Sequence, residues 1–130
     1  MDRIFKTRPF VRWLKKSGIA NSDIYRAVDE MRQGLIDANL GGDLYKKRVA
    51  IGGKGKRGGA RTIVAMNARG RWFFLYGFNK NERSNINQHE LMALQYLATD
   101  LLALSTKQLD TAVQDNSLEE ICSDDQDKER

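Results

Sequence analysis

The chain has 130 residues, 41% hydrophobic and 30% charged, with a net charge of +5, which fits one soluble domain with a real core and little room for a second. No apolar run approaches the ~20 residues that cross a bilayer, and the N-terminus Met1-Asp2-Arg3-Ile4-Phe5-Lys6 lacks the apolar centre of a secretory signal, so a cytoplasmic location is expected. A single cysteine, Cys122, and a single histidine, His89, rule out an internal disulfide and a Cys/His zinc cage within one chain. No clustered acidic motif suggests another metal site, and no cofactor is expected.

Alternation over residues 2–6 predicts a short strand, with Ile4 and Lys6 on one side and Arg3 and Phe5 on the other. Thr7 or Arg8 then opens a short helix with Pro9 in its first turn. Phe10, Trp13 and Leu14 form its apolar stripe, and Gly18 stops it. Asn21 or Ser22 caps a second helix, with Asp23 in its first turn and Ile24, Val28, Met31 and Leu35 as the buried face. Gly34 weakens its last turn, and Gly41-Gly42 ends it. The two helices are expected to pair as an antiparallel hairpin on one face of a sheet.

Strand patterns follow: Leu44 to Ile51, Arg61 to Met66 and Arg71 to Phe78, the last two joined by the turn Asn67-Ala68-Arg69-Gly70. In the third strand both alternating sets, Trp72, Phe74, Tyr76, Phe78 and Phe73, Leu75, Gly77, are largely apolar, which predicts a central position. Most of these aromatics belong in the core, with Tyr45 and Tyr76 left as candidates for stacking at the border of a basic face. Asn87 as N-cap, Glu90 at N3 and Ile86 with Leu91 at the staple positions predict a helix running to about Leu104, with Leu91, Leu94, Leu97, Ala98 and Leu101 inward. Ser105 caps a weaker helix containing Leu109, Ala112 and Val113. The expected division is a folded domain over residues 1–104 and a short helix with an acidic, mobile tail over 105–130.

Charge is concentrated in the strand region. Residues 44–83 hold eleven Lys/Arg against one acid, Glu82, so this segment alone is +10 while the rest of the chain sums to −5. Cations that crowded repel one another, and a compact fold tolerates them best beside an anionic partner. The segment Gly53-Lys54-Gly55-Lys56-Arg57-Gly58 matches GxGxxG, but a β-rich stretch follows it where a dinucleotide site needs a helix. It reads instead as a supple loop carrying Lys54, Lys56 and Arg57 towards phosphate. Arg61 opens the next strand with almost no acid near it in sequence. Lys80 and Arg83 lie between a central strand and a well-capped helix, with Glu82 as an orienting partner. His89 falls in the first turn of that helix, where capping surroundings or plain surface explain it better than chemistry does.

The stretch KGKRGGARTIVAM, then RWFFLYGFNKNERSNI and a leucine-rich helix, resembles the RelE/HigB-like toxins of bacterial type II toxin–antitoxin modules, over roughly residues 44–104. The resemblance implies a RelE-like α+β fold: a small antiparallel sheet of three to four strands, an N-terminal helical hairpin on one face and a C-terminal helix. It implies a metal-independent messenger-RNA endoribonuclease that arrests translation, often on the ribosome, and a cognate antitoxin protein that neutralises it. Matched residue by residue, Arg61, Lys80 and Arg83 take the catalytic positions, and Lys47, Arg48, Lys54, Lys56 and Arg57 guide the RNA backbone. Well-known members place a tyrosine after the terminal basic cluster. Asn87 stands there in this chain, which leaves Lys80 or His89 as the candidate proton shuttle. Two other readings use the same patch: a non-catalytic nucleic-acid-binding or regulatory protein, and a member that targets a protein.

Overall fold

The computed structural model describes residues 2–50 and 59–121. Among these the elements run β1 (Arg3–Thr7), α1 (Arg8–Ser17), α2 (Asn21–Arg32), β2 (Ala38–Gly41), β3 (Leu44–Val49), β4 (Ala60–Met66), β5 (Arg71–Asn79), α3 (Gln88–Leu102), α4 (Thr106–Gln114) and β6 (Leu118–Ile121). The strands form one sheet in the order β2-β3-β4-β5-β1-β6. β2 to β5 are an antiparallel meander. β1 lies parallel to β5, with Arg3 beside Arg71 and Phe5 beside Phe73, and β6 pairs antiparallel with β1.

The α+β class holds, but the sheet is mixed and six-stranded rather than antiparallel with three or four strands. β2 and β6 are four residues each, ANLG and LEEI, too short for an alternation to register. The parallel pair joins Arg3 to Arg71, and periodicity carries no information about which strand pairs with which. Residues beyond Ser105 supply α4 and the edge strand β6, so the folded unit extends at least to Ile121, past the boundary expected at 104. The acidic end beyond it, with Cys122, lies outside the described residues.

Local chemistry explains the helices. Thr7 Oγ1 accepts the Phe10 N–H at 3.4 Å and so caps α1. Gly18, at φ +79, closes that helix after Lys15 and Lys16. α2 begins a residue before the expected cap: Ala20 holds the N-cap position, and Asp23 reaches back to accept the Ala20 N–H at 2.9 Å. It also ends earlier, at Arg32. Leu35 N–H donates to the Glu30 carbonyl and Gly34 N–H to that of Met31, the pair of bonds that terminates a helix in a Schellman turn. Leu35 is therefore 52% exposed instead of buried.

The sheet has helices on both faces. Phe10, Leu14, Ile24, Val28 and Met31 from α1 and α2 pack on Ile4, Val49, Ala60, Val64, Trp72 and Phe74. Ala98, Leu102 and Leu109 from α3 and α4 pack on Phe5, Leu44, Ile63, Ala65, Phe73 and Leu75. Asn87 and Glu90 form the expected capping box, with Ile86 and Leu91 against that second core. Leu97, expected inward, is 38% exposed, and Leu102 takes the buried place.

One irregularity shapes the second face. Ile63 pairs with Tyr76 but Val64 pairs with Phe74, so Leu75 is an extra residue in β5. Such a bulge reverses the alternation beyond it. Tyr76 and Phe78 consequently join Phe73 and Leu75 on the α3 face, contrary to the simple alternation read from the sequence. Gly77 turns to the α1 face, where a Cβ would stand 2.4 Å from the Trp13 ring.

Candidate functional site

Sheet register assembles the site. On the α3 face, Tyr76 of β5, Ile63 of β4 and Lys46 of β3 form one row across the strands, and Phe78, Arg61 and Arg48 form the next. Two apolar floor positions, Ile63 and Phe78, are thus framed by Lys46, Arg48 and Arg61. Helix α3 lies over the other end of this face, where Gln95 donates to the Leu40 carbonyl at 3.0 Å. Lys80 and Arg83 follow directly on the exit of β5. Arg61, Lys80 and Arg83 therefore share one end of the sheet.

Their surroundings differ sharply. Arg61 is only 8% exposed, yet it has no carboxylate partner among the described residues. Every fully enclosed side-chain nitrogen or oxygen there has a hydrogen-bond partner, so the unpaired guanidinium head still reaches solvent. Its place depends on Gly59, where a Cβ would sit 2.1 Å from the Val49 carbonyl oxygen. Only glycine lets β3 and β4 close at this end. Lys80 is exposed and likewise unpaired among the described residues.

Arg83 is held instead. Its Nη1 and Nη2 donate to the two Glu90 oxygens at 2.8 and 2.5 Å, and Nη1 also donates to Tyr76 Oη at 3.1 Å. Nε donates to the Asn85 carbonyl at 3.0 Å, and the guanidinium stands 5.8 Å from the Phe78 ring centre. The Glu90 hydrogen bonds, and then Tyr76, raise the Arg83 pKa above its ordinary value. Arg83 in turn, with the Asn87 N–H, holds the Glu90 carboxyl below its own. The partner of Arg83 is thus Glu90 and not Glu82, which accepts from Asn79 Nδ2 at 3.2 Å.

Two sequence expectations are corrected here. Lys47 cannot guide RNA from this position: it points to the α2 face, is 2% exposed, pairs with Glu30 at 2.7 Å and donates to the Leu35 carbonyl at 2.8 Å. Tyr45 sits on that same face, against the first core. Arg48 does lie on the site face, with its side chain 46% exposed and Asp37 3.7 Å away. Lys54, Lys56 and Arg57 lie outside the described residues. His89 is exposed in the first turn of α3 and makes no hydrogen bond or ion pair among the described residues. Lys46 was not singled out, although strand alternation places it with Arg48 rather than Lys47. Nothing local could have revealed that Tyr76 faces Arg61's side, because the bulge decides it.

The fold and this face define a class: a small α+β protein whose mixed sheet carries a cationic patch at one end, in which Arg61 and Lys80 have no acid partner among the described residues. A model of the family described as the RelE toxin of the RelE/RelB toxin–antitoxin system matches residues 2–121. The chain belongs to that family and is a toxin of the toxin–antitoxin kind, whose members pair with an antitoxin. No helix among the described residues is long and apolar enough to cross a membrane.

Proposed function

We propose that the protein is an endoribonuclease that cuts messenger RNA and so arrests translation, without a metal ion and with the RNA 2′-hydroxyl as nucleophile. The observation that carries this reading is Arg61. Arg61 is 8% exposed as a residue, its guanidinium head reaches solvent, and no acid lies beside it among the described residues, so its charge is left without the counter-ion that a largely buried arginine ordinarily has. A scissile phosphate supplies the missing anion. An arginine fork matches two phosphate oxygens, and Lys80, as a point charge at the rim, meets the charge that builds on phosphorus as the 2′-oxygen adds. Lys46 and Arg48, one strand away, track the neighbouring backbone, with Lys54, Lys56 and Arg57 as further candidates for that role. His89 remains the candidate proton shuttle for the 2′-hydroxyl.

The test is the chemistry of the product ends. Purified protein incubated with RNA in EDTA should leave fragments ending in a 2′,3′-cyclic phosphate and a 5′-hydroxyl. Arg61→Ala and Lys80→Ala should each slow cleavage by roughly two orders of magnitude, the scale of one lost transition-state contact. Intact RNA retained by the wild-type protein would establish the binding-only reading instead.

A further inference from the structure

We infer that Tyr76 is a catalytic residue of this site, its phenol donating a proton to the 5′-oxygen that leaves when the chain is cut, with Arg83 as its positioning residue. The inference rests on the nuclease reading and extends it. Three observations carry it. First, the β5 bulge puts Tyr76 on the site face, diagonal to Arg61 across the β4–β5 pair. Such diagonal neighbours stand roughly 7–8 Å apart, with their Cβ atoms somewhat closer, within the span of one phosphodiester held between two long side chains. Second, the hydrogen bond to Arg83 has a fixed direction. A guanidinium only donates, so Oη accepts from Nη1 at 3.1 Å and its own proton is not used in that bond. Third, Arg83 is not free to grip phosphate. Glu90 takes both of its terminal nitrogens and the Asn85 carbonyl takes Nε, so it is a braced cation whose further hydrogen bond goes to the phenol oxygen.

The step balances without a co-reactant other than water. The 2′-oxygen bonds to phosphorus, the bond from phosphorus to the 5′-oxygen breaks, and that oxygen takes the Tyr76 proton. The 2′-hydroxyl proton passes by way of the shuttle, His89, to water and the phenolate regains one from water, so no net proton is consumed. Negative charge collecting on Oη as the proton leaves meets the Arg83 guanidinium, while Glu90 keeps that cation aimed.

The experiment compares two RNAs that differ at one mapped cleavage position, one with the normal 5′-oxygen and one with sulfur in its place. A thiolate leaves without being protonated, so the sulfur substrate needs no acid. Tyr76→Phe should cut the oxygen substrate about 100-fold more slowly than wild type, the scale of general acid catalysis, and the sulfur substrate within about 3-fold of wild type. Arg83→Gln should show the same selective rescue in weaker form, whereas Arg61→Ala should slow both substrates alike. The phenylalanine variant removes one oxygen from a half-buried ring, and its fold is checked by circular dichroism and by unchanged RNA affinity. Equal slowing on both substrates, or wild-type rates on both, overturns the assignment of Tyr76 while leaving the nuclease reading standing. No cleavage of either RNA by the wild-type protein overturns both.

Discussion

Arg61 and Lys47 lie one strand apart and are both nearly buried, yet the physics of each is opposite. Lys47 has an acid at 2.7 Å; removing it breaks a largely buried ion pair and empties the space of its stem, so Lys47→Ala should lose about 2–3 kcal/mol in urea unfolding. Its specific cleavage activity should stay near wild type. Arg61 has no acid partner among the described residues, so Arg61→Ala removes an uncompensated charge. Stability should be unchanged or higher while activity collapses, the signature of a residue kept for function. A fall of several kcal/mol in Arg61→Ala would mean the side chain is a structural prop. Protonation of Glu90 tests the Arg83 brace. A carboxyl whose folded pKa is depressed contributes stability above its unfolded value, here 4.5, and loses it as pH falls through the lower folded value. Protection factors of the Asn87 and Glu90 amides, taken against the intrinsic exchange rate at each pH, should therefore fall below about pH 4.5, with the rest of α3 following later.

At the scale of elements, apolar spacing and capping residues placed α1 and α3 well, because those signals act within a few residues. They placed α2's end badly. The stripe through Leu35 was real in sequence, but the Schellman bonds at Gly34 and Leu35 stop the helix before that residue can join the buried face. β5 shows the same limit. Its two apolar sets announced a central strand, which lies between β4 and β1, but the bulge at Leu75 reassigned Tyr76 and Phe78 to the other face. Gly77 is the cost of that arrangement, since Trp13 occupies the space of its missing side chain. Gly77→Ala should cost about 1–3 kcal/mol through overpacking, read as a lowered midpoint in denaturant. A tryptophan fluorescence spectrum identical to wild type in that variant would show that Trp13 had not been displaced.

For the whole molecule, β6 closes the free edge of β1 and brings Glu120 to Arg3, which also meets Asp110 on α4. The Glu120 hydrogen bonds raise the Arg3 pKa above its ordinary value. A chain cut at residue 104 loses these partners and exposes an edge strand. It should aggregate or fail to unfold cooperatively. The patch also bears on partnership. An antitoxin that neutralises this toxin should cover or remodel the ends of β3 to β5 with acidic or helical segments. Lys46 and Lys80 should then be protected from acetylation in the complex, and equal labelling in the free and bound states would place inhibition elsewhere.

The four longer strands and four helices in their order, the cap of α3, the central place of β5 and the crowding of cations into residues 44–83 were all decided by residue type and short spacing. So was the family resemblance, which rests on linear motifs. Tertiary structure alone chose which of those cations stays unpaired. Whether a basic side chain meets Glu30, Glu90 or no acid depends on which face its strand turns to a helix. That in turn depends on a one-residue bulge and on pairings between segments distant in the chain, which no local pattern records.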